Sequence, residues 1–257
     1  MDCKNCQVLI ADDASYCQNC GGKVIKNRLT IKNLLAHFSE AYLNYDNKLL
    51  QTFINLFKKP EDVIGSYING TRKKYTDVIS YFAIALTLSG LQMFILNKYF
   101  PEALDISNMA TEKTEEFQRR NFQFIQEYQS LIMMFYVPIY ALISRIVFFN
   151  IKKYNYTEHL VIFMYILAQA SILSALISVI SAVFGYTIGN VGAYFTIPFQ
   201  LLYSAYCLKR LVKLSILGII LRTLLFLVVL SILMMLFGMV MALIMIANGG
   251  IENLIQP

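Results

Sequence analysis

The 257-residue chain has no tryptophan, two histidines, and 15% charged residues against 57% hydrophobic ones. So little charge belongs to the composition of a membrane protein. The histidines, His37 and His159, stand far apart in sequence, and neither makes a site by itself. The long apolar runs hold no paired acids or histidines of the kind phosphoryl or acyl transfer needs, so the expectation is a non-enzyme. Residues 1–75 contain no long apolar stretch, and no secretory signal peptide is expected.

What is present begins at once, in "MDCKNCQVLIADDASYCQNCGG". Cys3 and Cys6 form one C-x-x-C pair, and Cys17 and Cys20 form another. Two intervening residues let both thiolates of a tight turn face one ion, and two such turns close a tetrahedral shell of four sulfurs. Gly21 and Gly22 follow the second pair, where a knuckle needs left-handed backbone. The ten residues between the pairs cannot build a core, so a unit this small needs its ion to fold. Disulfides would require an oxidising compartment. A thioredoxin-type dithiol would be expected beside a βαβ pattern, which is absent. The expectation is a structural Zn2+ ligated by Cys3, Cys6, Cys17 and Cys20, with iron as the competitor. Cys207 sits in an apolar run and reads as a small buried side chain.

The remainder predicts an all-α polytopic membrane domain. Uncharged or nearly uncharged runs mark spans at about 78–97, 128–149, 159–184 and 188–208. A final run, 214–247, is too long for one straight crossing. Arg222 suggests dividing it into an interfacial piece, 214–221, and a fifth span, 223–247. The domain organisation is therefore a zinc ribbon (1–25), cytosolic amphipathic helices (26–75) and a five-helix transmembrane bundle (76–257). Lys and Arg set the orientation. Eleven of the 22 precede the first span. Lys152 and Lys153 follow the second, and Lys209, Arg210 and Lys213 follow the fourth. The loop 98–127 has more acidic than basic residues, and neither 185–187 nor 248–257 has any Lys or Arg. The N-terminus is expected in the cytosol and the C-terminus outside.

Between ribbon and first span, Leu34, Leu35, Phe38, Tyr42 and Tyr45 recur at helical spacing. Pro60 suits the first turn of a further helix, with Glu61 and Asp62 at its positive end. Such helices either pack on the cytosolic face of the bundle or lie on anionic headgroups. Nucleic acid is not an expected partner, because the basic residues gather at membrane boundaries without interleaved stacking aromatics. The expected partners are the lipid bilayer, a cytosolic or membrane protein, and a second copy of this chain.

Within the spans, Ser171, Ser174, Ser178 and Ser181 form one stripe, continued by Ala168 and Gly185. It either lets helix backbones approach closely or lines a watery conduit. Gln169 and Gln200 are the deepest polar groups and need partners. Pro138 and Pro198 are expected to kink their spans. Glu158 and His159 read as a helix start, and Arg145 and Arg222 as snorkelling residues near the cytosolic boundary.

The chain resembles an uncharacterised family of membrane proteins found mainly in Bacteroidota, in which a "YCxxCG" zinc ribbon precedes a multi-span domain. The matching stretches are "SYCQNCGGK", "LFKKPEDVIGSYINGTRKKYTDVISYFAIALTL", "YTEHLVIFMYILAQASI" and "LLYSAYCLKRLVKLSILGIILRTLLF". That family often has a proline at the start of span one, where this chain has Asp77-Val78. More distantly, the layout is similar to the five-span Yip1 group, associated with membrane trafficking. The resemblance implies a fold and a topology, and no catalytic residue. The reading reached is a non-enzymatic protein of the bacterial inner membrane whose zinc ribbon docks a protein partner. The rival is a small-solute or ion transporter with a midplane polar site.

Overall fold

The structure is a computed structural model that describes residues 1–22, 24, 30, 31, 48–104, 124, 125, 127–151 and 153–247. Leu34, Leu35, His37, Phe38, Tyr42, Tyr45, much of the loop 98–127 and the tail 248–257 lie outside the described residues. Two compact units are present, Met1–Asn47 and Lys48–Pro257. Among the described residues there is no β-strand beyond one isolated bridge, Asp2 to Leu9.

The second unit is helical. It begins with α1 (Lys48–Lys58) and α2 (Pro60–Ile68). Pro60 opens α2, and Glu61 and Asp62 fill its first turn as the sequence predicts. α3 (Val78–Tyr99) is capped by Asp77, whose carboxylate accepts the Ser80 amide at 3.1 Å. A 3-10 turn (Pro101–Leu104) follows, then α4 (Gln129–Val147), which carries Pro138 inside it.

α5 (Tyr156–Val183) begins with a capping box: Asn155 accepts the Glu158 amide, and Glu158 accepts the Asn155 amide. Glu158 is therefore the helix start it was expected to be. His159 is buried, bonded through Nδ1 to the Ser144 hydroxyl of α4 at 3.0 Å. α5 ends in a Schellman motif at Gly185 (φ +78°), with Tyr186 bonded to Ser181 and Gly185 to Ala182.

Among the described residues, four helices are long and apolar enough to cross a membrane: Val78–Tyr99, Gln129–Val147, Tyr156–Val183 and, within the last helix, Ile216–Val240. The segment expected as a fourth crossing, 188–208, is instead divided into α6 (Ile188–Val191), a π turn (Gly192–Thr196) and α7 (Ile197–Val212). The Ile197 amide reaches back five residues to the Gly192 carbonyl. Pro198, which has no amide to give, stands just beyond this turn at the start of α7. The irregularity expected of Pro198 is thus a widened helical turn before it.

The expected division at Arg222 does not occur. α8 (Ile216–Ala247) runs through it unbroken, since no Pro interrupts the run and the long side chain of Arg222 reaches away to Asn150. Ser215 starts α8 instead, accepting the Gly218 amide at 3.1 Å.

α3 and α5 are parallel neighbours. Tyr81 meets Tyr165 (ring centroids 6.0 Å apart), Ser89 meets Ser171 at 2.6 Å, and Leu96 shares a cluster with Ala182. Ala85, Ser89 and Ala168, all essentially buried, line this interface and let the two backbones come close. α4 runs antiparallel between them and α8. The basic connections gather at one end: Lys153 donates to the Leu211 carbonyl at 2.5 Å, Arg222 to Asn150 at 3.1 Å, and Arg210 pairs with Glu61.

α1 and α2 pack into that same end. Leu56, Val63 and Ile64 are wholly buried in the main core. The final carbonyls of a helix have no partner within it. Here the Tyr203 hydroxyl donates to Leu56 O (3.1 Å) and Tyr206 to Phe57 O (3.0 Å).

Candidate metal centre

Residues 1–22 form two copies of one turn. In each, the leading cysteine amide bonds a carbonyl five residues ahead: Cys3 to Val8 (3.0 Å) and Cys17 to Gly22 (2.9 Å). The residue after each second cysteine returns its amide to the leading cysteine, Gln7 to Cys3 (2.8 Å) and Gly21 to Cys17 (2.9 Å). Both of these residues are left-handed, Gln7 at φ +58° and Gly21 at φ +68°. The sequence points to Gly21 but not to Gln7, because only a glycine advertises that conformation.

The two turns face each other. The Sγ atoms of Cys3, Cys6, Cys17 and Cys20 all lie within 4.8 Å of one another. Cys3 Sγ is 3.7 Å from Cys20 Sγ, and Cys6 Sγ is 3.6 Å from Cys17 Sγ. A disulfide needs about 2.05 Å, whereas a tetrahedron with metal–sulfur bonds of about 2.3 Å has edges of about 3.8 Å. The donor set therefore fits a metal ion. Cys3 and Cys17 are buried, Cys6 half-buried and Cys20 exposed.

Backbone amides prepare part of the site for negative charge. The Gly22 amide, helped by Asn5, brings the Cys20 thiol down to about 6, and the amides of Cys6 and Asn5 lower Cys3. Cys6 goes the other way. The Val8 amide favours its thiolate, yet burial and the crowding sulfurs of Cys20 and Cys17 push it up to about 11. Four sulfurs this close cannot all carry charge by themselves. A divalent cation would supply the missing compensation, and binding it would release protons. Cys207, by contrast, is alone and wholly buried in α7.

The membrane residues singled out in the sequence separate into structural and unpaired ones. Gln169 is wholly buried, accepts the Tyr81 hydroxyl through Oε1, and donates from Nε2 to Phe53 O in α1 at 3.0 Å. It is part of the scaffold that holds α1. Of the serine stripe, Ser171 packs on Ser89, Ser174 donates to Thr196 at 3.5 Å, and Ser178 faces a cavity that Gln200 also lines. Arg222 lies over the Phe148 ring, 5.3 Å from its centroid, as a residue reaching toward the boundary does. Pattern reading passed over the tyrosines 81, 165, 203 and 206, whose hydroxyls tie segments of the second unit together. Tyrosine counts as apolar in a periodicity argument, and that hid them.

A family described as "Protein of unknown function (DUF3667)" matches residues 46–90, which span α1, α2 and the first half of α3. No curated protein and no solved structure matches the chain.

Proposed function

We propose that the four cysteines hold one structural zinc, and that the unit they close is a cytosolic docking head for a protein partner, carried by a membrane anchor or assembly subunit. The observation that carries this reading is the completed set of four sulfurs at tetrahedral spacing. Four protein ligands leave no position for water or substrate, so the metal would shape a surface rather than catalyse. Zinc is preferred to iron because the site asks only for a rigid tetrahedral ion.

The same proposal takes the helical stretch from α6 through the π turn to α7 as a fourth crossing, making five spans. The gathered basic connections support an N-terminus in the cytosol and a C-terminus outside, in a bacterial inner membrane. The protein is a non-enzyme whose surroundings are lipid, its partner and a second copy of itself, with no nucleic acid. The resemblance to the Bacteroidota ribbon-bearing family, and distantly to Yip1 proteins, supports this layout.

The test is removal of residues 1–22, followed by capture from native membranes. The truncated chain should insert, keep its thermal stability in detergent, and lose the partners that the full chain retains. Retention of the same partners would sink the docking reading, and failure to insert would make the ribbon part of the membrane fold. The rival, transport through a midplane site at Gln169 and Gln200, loses Gln169 to the α1 scaffold; solute and ion flux in liposomes measures it directly.

A further inference from the structure

We propose that a cavity walled by α3, α4, α5 and the π turn is a binding pocket for a small uncharged solute rich in hydroxyl or amide groups, such as a polyol. The cavity holds about 350 Å³, at the small end of ordinary ligand sites. Gln92 and Ser178 carry the argument. They are 7% and 6% exposed, both line the cavity, and neither side chain has a hydrogen-bond partner among the described residues.

The polar ends of both side chains open onto the cavity, and lipid cannot supply their missing bonds. Something polar must therefore meet these groups inside the cavity. Gln129 and Gln200 add two further amides to its wall, and Tyr136 and Tyr140, stacked with centroids 5.6 Å apart, add a flat aromatic face.

The chemistry of the wall selects the ligand. Its described residues include no Asp, Glu, Lys, Arg or His. An ion entering would find no countercharge and would lose its hydration. Amides and hydroxyls both donate and accept, which matches a neutral solute of the same kind.

In this proposal the pocket has its mouth at one end of the bundle. Gln92 lies in the later half of α3, Gln129 at the start of α4 and Ile188 at the start of α6, all at the end away from the basic connections. The π turn contributes Gly192 and Thr196 to the wall, a placement common for such turns at binding sites. This proposal is independent of the docking head.

The experiment uses the full zinc-loaded chain carrying Cys207→Ser, with single cysteines introduced by Gln92→Cys, Ser178→Cys, Ser144→Cys or Lys74→Cys. A water-soluble thiol reagent should label the first two roughly tenfold faster than Ser144→Cys, which is packed against His159 and reacts only when the fold opens. Glycerol or glucose should slow that labelling, and choline or acetate should not. In sealed membranes an impermeant reagent should reach Gln92→Cys and Lys74→Cys from opposite faces. Rates no faster than Ser144→Cys would show that the cavity is closed to water. Labelling unaffected by glycerol and glucose would reduce it to a water pocket, and protection by choline or acetate would refute an uncharged ligand. Reaction of both positions from the same face would refute the one-sided arrangement, whichever way the chain is inserted.

Discussion

Replacing Gln169 with leucine tests whether this glutamine is scaffold or site. In the native chain its Oε1 accepts the Tyr81 hydroxyl and its Nε2 reaches Phe53 O. Both Gln169 and Tyr81 are 0% exposed, so no solvent replaces a lost bond. Gln169→Leu strands the Tyr81 hydroxyl at a cost of about 1–3 kcal/mol. The Phe53 carbonyl keeps its place in the helical ladder of α1 and adds little. Tyr81→Phe strands the glutamine oxygen instead, at a similar cost. The double variant leaves neither group unpaired, and should be no worse than either single change. The coupling should be on the order of 1 kcal/mol, within the range for polar pairs in helical membrane proteins. Titration of the full chain from mild micelles into SDS, followed by far-UV circular dichroism, measures all three variants against the parent. Additive losses would refute the direct pairing. A Gln169→Leu protein of native stability with altered solute flux would return this residue to a transport site.

Elemental analysis should find about one zinc per chain, falling sharply in Cys17→Ser and unchanged in Cys207→Ser, since Cys207 is buried within the second unit; equal loss in both would mean that the ligand set is wrong. A reporter active only outside the cytosol should work when fused after Pro257 or within 98–127, and fail after Lys153 or Lys213, where activity would overturn the five-span arrangement. The acid limb of stability should depend on the turn into α2. Arg210 holds Glu61 below its ordinary value, and Lys74, with Tyr75, holds Asp62 below its own. Both contributions are present above the unfolded values of about 4.3 and 3.9 and disappear as the pH falls through the lower folded values. Thermal midpoints measured against pH should therefore drop on the acid side, and Glu61→Gln with Asp62→Asn should flatten that drop; an unchanged acid limb would show that these pairs do not contribute to folding.

The local features were the most legible ones. The C-x-x-C spacing brought four ligands to one place because each pair sits in a single tight turn, so the geometry needs no distant residue. Pro60, Glu61, Asp62 and Glu158 announced their helix starts for the same reason, since capping is settled within three or four positions. Arg222 misled because charge was read as a boundary, whereas a long side chain at a helix start can lie over Phe148 and leave α8 continuous. Pro198 was expected to kink its span, and a local irregularity stands just before it. Its form, a π turn ending at Thr196, depended on which carbonyl the Ile197 amide could reach.

By itself, the sequence determined the apolar helices and the four-sulfur cluster, because hydropathy, capping and ligand spacing act over a few residues. Tertiary structure alone decided the fates of the polar groups among the spans. Gln169 and Gln200 look alike in sequence, yet one is locked between Tyr81 and α1 while the other lines a cavity. The serine stripe likewise divides between a packed contact at Ser171 and a hydroxyl at Ser178 that faces the cavity without a partner among the described residues. The physical reason is that a buried polar group is defined by its partner, and here the partners lie about 80 to more than 110 positions away in the chain.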